Sequence, residues 1–167
     1  MNARNEFLTH IRAEKPQRAE DTGYDLRALD NDDGAYRNTY DVLVNDKSIG
    51  VVIKFPHNRS RRENIRHSLY EAQAIHRMRH DPKLLVLKRY APTLLWHEPT
   101  TGVIVMPKYK PVKSGEFFEG FQQTFTCMVN DLLPEMKYGF DYGERNFGLN
   151  SRGHYVLLDA GLLGETQ

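Results

Sequence analysis

Two short stretches near the end of the chain, F-D-Y-G-E-R-N at residues 140–146 and V-L-L-D-A-G at residues 156–161, decide the fold prediction. In the first, Asp141 stands five residues before Asn146, and the second is an apolar strand that ends in Asp159. A turn between them would form a hairpin that brings Asp159 opposite Asn146. Because Mg²⁺ prefers carboxylate and carbonyl oxygen ligands, this pair is a candidate metal site. Two ordinary aspartate-containing turns around a hairpin are the alternative.

A lysine lies inside an apolar strand further upstream. Residues 49–55 follow a polar turn at 45–48 and are apolar except for Lys54. Period-2 alternation places Val52 and Pro56 on the same face as Lys54, so this face is predicted to be buried. A buried ammonium group needs a partner, whereas a lysine on a solvent-facing strand surface, the alternative, would not.

The helix that follows this strand offers such a partner. Residues 61–79 have helical periodicity, and Ser60 is the predicted N-cap. At about 100° per residue, Glu71 falls inside the apolar arc of this helix, while Glu63 falls on the outer face with the arginines. A lone carboxylate within an apolar stripe is unusual, so Glu71 is the predicted ion-pair partner of Lys54.

In this order, these residues resemble motifs of the protein-kinase superfamily. Lys54 matches the lysine of the V-A-I-K strand, and Glu71 matches the glutamate of the next helix. Asp141 and Asn146 match H-R-D-x-x-x-x-N, although Gly139-Phe140 replaces His-Arg, and Asp159 matches D-F-G. The resemblance implies three catalytic residues: Lys54 holding the α/β-phosphates, Glu71 orienting it, and Asp141 accepting the proton of the acceptor hydroxyl. It also implies that Asn146 and Asp159 bind Mg²⁺.

The same resemblance implies an ATP site. Gly34 and Tyr36 would match the central glycine and the aromatic tip of the Gly-rich loop, and Arg37 stands where the family has another glycine. Met106 would take the gatekeeper position, and Lys108 would follow in the linker whose backbone groups face adenine. A role for Met106 as a simple core residue is equally compatible with the sequence. The altered loop would cradle phosphates less closely, and the Arg37 side chain would then supply a phosphate contact in its place.

The implied fold is α+β and protein-kinase-like, with a five-stranded antiparallel N-lobe sheet, one helix and a reduced helical C-lobe. Residues 1–29 form an N-terminal extension with a short helix over 5–20. The N-lobe and hinge occupy residues 30–109, and the truncated C-lobe with its catalytic and metal loops occupies residues 110–167. An aromatic stripe over residues 114–133 predicts the main C-lobe helix.

The amino-acid composition limits the protein classes and cellular locations that this sequence fits. Hydrophobic residues make up 40% and charged residues 27% of the 167 residues, which is typical of one globular domain. The single cysteine, Cys127, excludes an internal disulfide, favours a reducing, cytoplasmic location, and is predicted to be buried. No apolar run is long enough to span a membrane, and a net charge of +1 gives no specific nucleic-acid signal. Six residues follow Gly161, too few for a substrate groove, so we expect a protein partner or a second copy to cover the short C-lobe.

The sequence therefore predicts an ATP- and Mg²⁺-dependent phosphotransferase that acts on the hydroxyl group of a protein or small molecule. Its alternative is a pseudokinase-like binding module that acts by protein–protein contact, which the altered Gly-rich loop and the missing His-Arg favour. The joint presence of Lys54, Asp141, Asn146 and Asp159 favours catalysis. An unrelated α+β structural protein is the third possibility.

Overall fold

The computed structural model describes residues 2–29, 37–58, 60–113, 115–132 and 143–159. Over these ranges the chain forms three α-helices, eight β-strands and three 3₁₀ turns. In chain order they are α1 (Ala3–Glu14), a 3₁₀ turn (Ala19–Thr22), β1 (Asp25–Ala28), β2 (Arg37–Val44), β3 (Lys47–Pro56), α2 (Arg61–His80), a 3₁₀ helix (Pro82–Tyr90), β4 (Trp96–Glu98), β5 (Val103–Pro107), β6 (Lys110–Pro111), α3 (Glu116–Leu132), a 3₁₀ turn (Glu144–Asn146), β7 (Phe147–Leu149) and β8 (Tyr155–Leu157). The expected α+β class with an antiparallel sheet is confirmed.

The larger sheet has five strands in the order β1-β2-β3-β5-β4. Asn45 and Asp46 join β2 to β3 with φ values of 49° and 62°, a left-handed geometry that these residue types tolerate and that two-residue hairpins require. Strand β1 lies within the segment 1–29 that was expected to be an extension, yet it pairs with β2 as an edge strand of the sheet.

Apolar side chains cover both faces of this sheet. Alternation along β3 sends Val51 and Ile53 to the face on which α1 packs, where Phe7 and Ile11 are fully buried. It sends Val52 to the opposite face, into a second cluster that includes α2 and α3 side chains. The N-terminal helix therefore closes one side of the sheet, and the other side faces α2 and the C-terminal half.

The start of helix α2 differs from the sequence prediction in one respect. Ser60 precedes the helix, but its φ is 56° and its hydroxyl makes no capping hydrogen bond. The turn between β4 and β5 lies against the first turns of the helix. Gly102, with φ +72°, approaches α2 so closely that a Cβ there would lie 2.8 Å from Pro56 Cγ and 3.0 Å from Ile65 Cα.

The C-terminal half consists of α3 and a small antiparallel sheet of order β6-β7-β8. Aromatic rings join the two: Phe118 and Phe125 of α3 lie with ring centroids 5.7 Å and 5.3 Å from Phe147 of β7. Phe121 stacks on Tyr155 of β8 at 4.0 Å. This packing fixes the β7–β8 hairpin against the helix. In the described part of the chain, no helix is both long and apolar enough to cross a lipid bilayer.

Two side chains of α3 depart from the expected core stripe. Cys127 is exposed, and the expectation that it fills the core is wrong. Phe117 is 93% exposed. The buried side chains are Phe118, Phe125 and Val129, and Cys127 stands about 180° from Phe118 around the helix at 100° per residue.

Candidate functional site

Lys54 and Glu71 form a buried ion pair. Lys54 Nζ lies 2.8 Å from Glu71 Oε1, and it also donates a hydrogen bond of 2.8 Å to the carbonyl oxygen of Leu158. Lys54 is 8% exposed and Glu71 is 0% exposed. The predicted pairing is confirmed, and the alternative of a solvent-facing lysine is wrong.

Strand register and helix phase together create this pair. Thr39 of β2 and Ile104 of β5 lie directly opposite Lys54 on its two neighbouring strands, so Lys54 stands on a central strand. Helix α2 packs on the same face, with Ile75 and its other apolar side chains in the shared core. Because Glu71 belongs to that apolar arc, its carboxylate reaches the lysine beneath the helix.

A second cation, Arg37, completes a four-residue charge cluster with Lys54, Glu71 and Asp159. The guanidinium group donates from Nη1 to Glu71 Oε2, and its Nη2 lies 3.2 Å from Asp159 Oδ1. Arg37 is 7% exposed, whereas the Asp159 side chain is 46% exposed. Two cations and two carboxylates give the charge cluster a balanced formal charge. It ties α2 to the end of the β7–β8 hairpin.

The surroundings of Lys54 lower the pKa of its side chain. The pKa of Lys54 is lowered to about 7, mainly by burial and also by the nearby Arg37 guanidinium, while the Asp159 carboxylate partly opposes this lowering. A lysine in this position gains from any additional anion that approaches it, because an anion stabilises the ammonium form.

The β7–β8 hairpin brings Asn146 and Asp159 close in space. Leu157 pairs with Phe147, and the Leu158 amide donates a 2.7 Å hydrogen bond to the Asn146 carbonyl oxygen. Leu158, and not Asp159, is therefore the residue opposite Asn146, so the expected position of Asp159 is wrong by one residue, although Asp159 directly follows this contact. Among the described residues, no three His, Cys, Asp or Glu side chains converge as a metal site. An amide oxygen and a carboxylate fit Mg²⁺, which is commonly held by one or two carboxylates together with substrate phosphates.

The two residues of the expected hinge have different surroundings. Met106 is buried, lies opposite Val52 and belongs to the core around α2 and α3. The Lys108 amide donates a 2.9 Å hydrogen bond to the carbonyl oxygen of Gly50, which continues the β3–β5 pairing. The Lys108 amino group lies 2.6 Å from Asp41 Oδ2. The side chain of Lys108 is thus engaged with a carboxylate of the sheet.

Asp41 is the centre of this second group of charges. Its buried carboxylate accepts from Arg27 at 2.7 Å, from Ser48 at 2.6 Å and from Lys108. Burial raises the pKa of Asp41, but the hydrogen bonds from Lys108, Ser48 and Arg27 outweigh it and hold the pKa below its ordinary value. This group fastens the segment after β5 to β1 and β2.

Three of the predicted site residues, Gly34, Tyr36 and Asp141, lie outside the described residues. No family model and no curated protein matches this sequence. The roles of the site residues therefore rest on the geometry of the described residues and on their chemistry.

Sequence reasoning missed the contacts of Arg37 and Asp41. A signal was present in β2, where Tyr40 and Val42 alternate with polar or charged residues at Thr39 and Asp41. This alternation puts the side chains of Arg37, Thr39 and Asp41 on the face that carries Lys54. A charged residue on a face that also holds a buried lysine is a candidate partner in the same network.

Proposed function

We propose that the chain is an ATP- and Mg²⁺-dependent phosphotransferase with a protein-kinase-like fold, acting on a hydroxyl group of a protein or small molecule. The observation that carries this proposal is the buried Lys54–Glu71 pair, whose lysine also contacts the backbone of Leu158 next to Asp159. A buried ion pair adds little net stability compared with apolar residues of the same volume. A lysine charge held in the core beside a half-exposed carboxylate therefore points to use of that charge on a ligand.

Each described residue has a role that its position suits. Lys54 would bind phosphate oxygens, and Glu71 would fix the direction of its amino group. Asn146 and Asp159 would ligate Mg²⁺ through oxygen atoms. Asp141, which lies outside the described residues, would accept the proton of the acceptor hydroxyl.

The proposal also covers the cellular location and the binding partner of the protein. One cysteine, which leaves no internal disulfide to form, suits a cytoplasmic enzyme. A protein partner or a second copy would bind the C-terminal half and present the phosphate acceptor. Sedimentation of the pure protein, alone and with candidate partners, tests this expectation, and a strict monomer that phosphorylates free peptides would contradict it.

Thermal unfolding with ATP, in the presence and absence of Mg²⁺, tests nucleotide binding. A ligand at 100 times its Kd stabilises the folded state by about 2.7 kcal/mol. For a domain of this size, that corresponds to a rise in Tm of roughly 5–11 °C. The expected result is a larger rise with Mg²⁺ than without it, and a rise that Lys54→Met reduces. No rise at millimolar ATP would refute the proposal.

A pseudokinase-like binding module is the second candidate function. The observation that favours it is the contact between Arg37 and Asp159, since a cation already occupies one oxygen of the candidate metal ligand. Transfer of the γ-phosphate separates the two functions. Steady formation of ADP with a phosphorylated product supports the enzyme, whereas nucleotide binding without turnover supports the binding module.

A further inference from the structure

We propose that Arg37 is a phosphate-binding residue that contacts the polyphosphate of the nucleotide beside Lys54. This inference rests on the proposed nucleotide site and adds to it a residue for which the kinase motifs provide no role. Thr39 lies opposite Lys54 in the β2–β3 pairing, and Arg37 lies two residues before Thr39 on the same strand. Arg37 and Lys54 are therefore diagonal neighbours on one face of the sheet, close enough to contact the same ligand.

Metal binding at Asp159 would leave Arg37 in need of a further anion. Without a ligand, the two cations are matched by Glu71 and Asp159. A divalent metal bound to Asp159 would draw that carboxylate away from Arg37. Arg37 would then share Glu71 with Lys54, and a buried cation without a full partner is costly. Phosphate oxygens next to the metal would restore the balance.

The chemistry of arginine suits this role. A planar guanidinium group holds several N–H donors in a fixed fork, so one nitrogen can stay on Glu71 while another donates to phosphate, a spacing that the compact ammonium group of lysine does not match. The two nitrogens of Arg37 already contact two different carboxylates, so both point toward the region between Glu71 and Asp159. Arg37 also stands where the kinase-like loop has a glycine, and its side chain takes over part of the phosphate contact that backbone amides would otherwise make.

Two other cations on this side of the sheet have a different partner. Arg27 and Lys108 both contact Asp41, at 2.7 Å and 2.6 Å. Arg27 is 58% exposed, so its loss removes one positive charge from a neighbouring strand without touching the charge cluster. Arg27→Gln is therefore a matched control for Arg37→Gln.

Isothermal titration calorimetry on the full chain tests the proposal with three ligands, each with Mg²⁺: ATP, adenosine and inorganic tripolyphosphate. The wild type is compared with Arg37→Gln, Arg37→Lys and Arg27→Gln. Lys54 and Glu71 remain paired in all of these variants, so we expect them to fold, which far-ultraviolet circular dichroism checks. Losing a hydrogen-bonded charge contact to phosphate is expected to weaken ATP binding about 10- to 100-fold in Arg37→Gln. Arg37→Lys, which keeps the charge but loses the two-nitrogen contact, should fall between this variant and the wild type.

Each outcome separates this inference from the proposed function. Weaker ATP and tripolyphosphate binding in Arg37→Gln, with adenosine and Arg27→Gln unaffected, supports it. Equal ATP affinity in the wild type and Arg37→Gln overturns it while nucleotide binding stands. Tripolyphosphate binding that depends on Arg37, without any ATP binding, supports the phosphate role and refutes the nucleotide function. A wild type that binds neither polyphosphate overturns both.

Discussion

Neutralising Glu71 should cost far more stability than neutralising Lys54, because the two residues have unequal numbers of partners. Glu71→Gln keeps the side-chain volume but leaves Arg37, and also Lys54 while it is protonated, with only the half-exposed Asp159 as counter-charge. Removing one partner of a buried ion pair costs about 3–5 kcal/mol. Lys54→Met leaves Glu71 paired with Arg37 and loses two hydrogen bonds, to Glu71 and Leu158, for which we expect about 1–3 kcal/mol.

Urea unfolding and thermal unfolding measure this asymmetry. At roughly 2–4 °C per kcal/mol for a domain of this size, a difference of about 2 kcal/mol separates the two variants by about 4–8 °C in Tm. The control is Glu63→Gln, which removes an exposed carboxylate from the first turn of the same helix. Its expected cost is below about 1 kcal/mol, the value of one charge near a helix N-terminus.

The ranking of the variants decides the outcome. If Glu71→Gln is no less stable than Lys54→Met, then Glu71 does not neutralise two buried cations. If Glu71→Gln costs no more than Glu63→Gln, the carboxylate is not buried in an ion pair at all. Either result would remove the structural basis of the proposed site.

Three further predictions concern other parts of the molecule. Asp159→Asn is expected to abolish the Mg²⁺-dependent part of the ATP-induced rise in Tm, and a full Mg²⁺ effect in this variant would exclude Asp159 as a metal ligand. Gly148→Ala is expected to lower Tm, because the added Cβ would lie 2.6 Å from Tyr109 Cβ. The control is Gly120→Ala, whose Cβ would have nothing within 4 Å. This control should leave Tm unchanged or raise it, because helices favour alanine over glycine. The pKa of Asp41 is lower in the folded state than its ordinary value of 3.8. Its carboxylate therefore stabilises the fold above pH 3.8, and this contribution is lost as the pH falls through the folded-state pKa. Thermal unfolding of Asp41→Asn between about pH 6 and 3 should therefore show a lower Tm at about pH 6, and a smaller loss of Tm on acidification, than the wild type shows.

Local patterns were enough to predict the Lys54–Glu71 pair. The apolar neighbours of Lys54 on its own face indicate burial, and the phase of α2 selects Glu71 from the two glutamates of that helix. Both signals depend on short-range periodicity, which survives into the folded structure when the element is long and regular. The β7–β8 hairpin followed from the same kind of pattern, whereas the five-stranded sheet was implied by the resemblance to kinases.

Contacts between residues far apart in the sequence could not be predicted from local patterns. Lys108 meets Asp41 across 67 residues, and Arg37 meets Asp159 through the packing of the hairpin against the sheet. Which charged residues meet depends on strand register and on the bulge between Asp41 and Leu43, and neither is encoded in one segment alone. The exposure of Cys127 is a different case, since the phase of α3 relative to Phe118 already places it on the outer face.

The spread of the charge cluster along the chain has a consequence for protein synthesis. Arg37, Lys54 and Glu71 leave the ribosome early, while Asp159 follows 88 residues after Glu71, which at 5–20 residues per second is roughly 4–18 s later. During that interval the part of the charge cluster that has been synthesised contains two cations and one carboxylate. The emerging N-terminal half is therefore electrostatically incomplete, and a nearby polyanion could neutralise it until the last hairpin arrives. We expect cotranslational folding of this half to speed up when inorganic polyphosphate is present in a cell-free translation reaction.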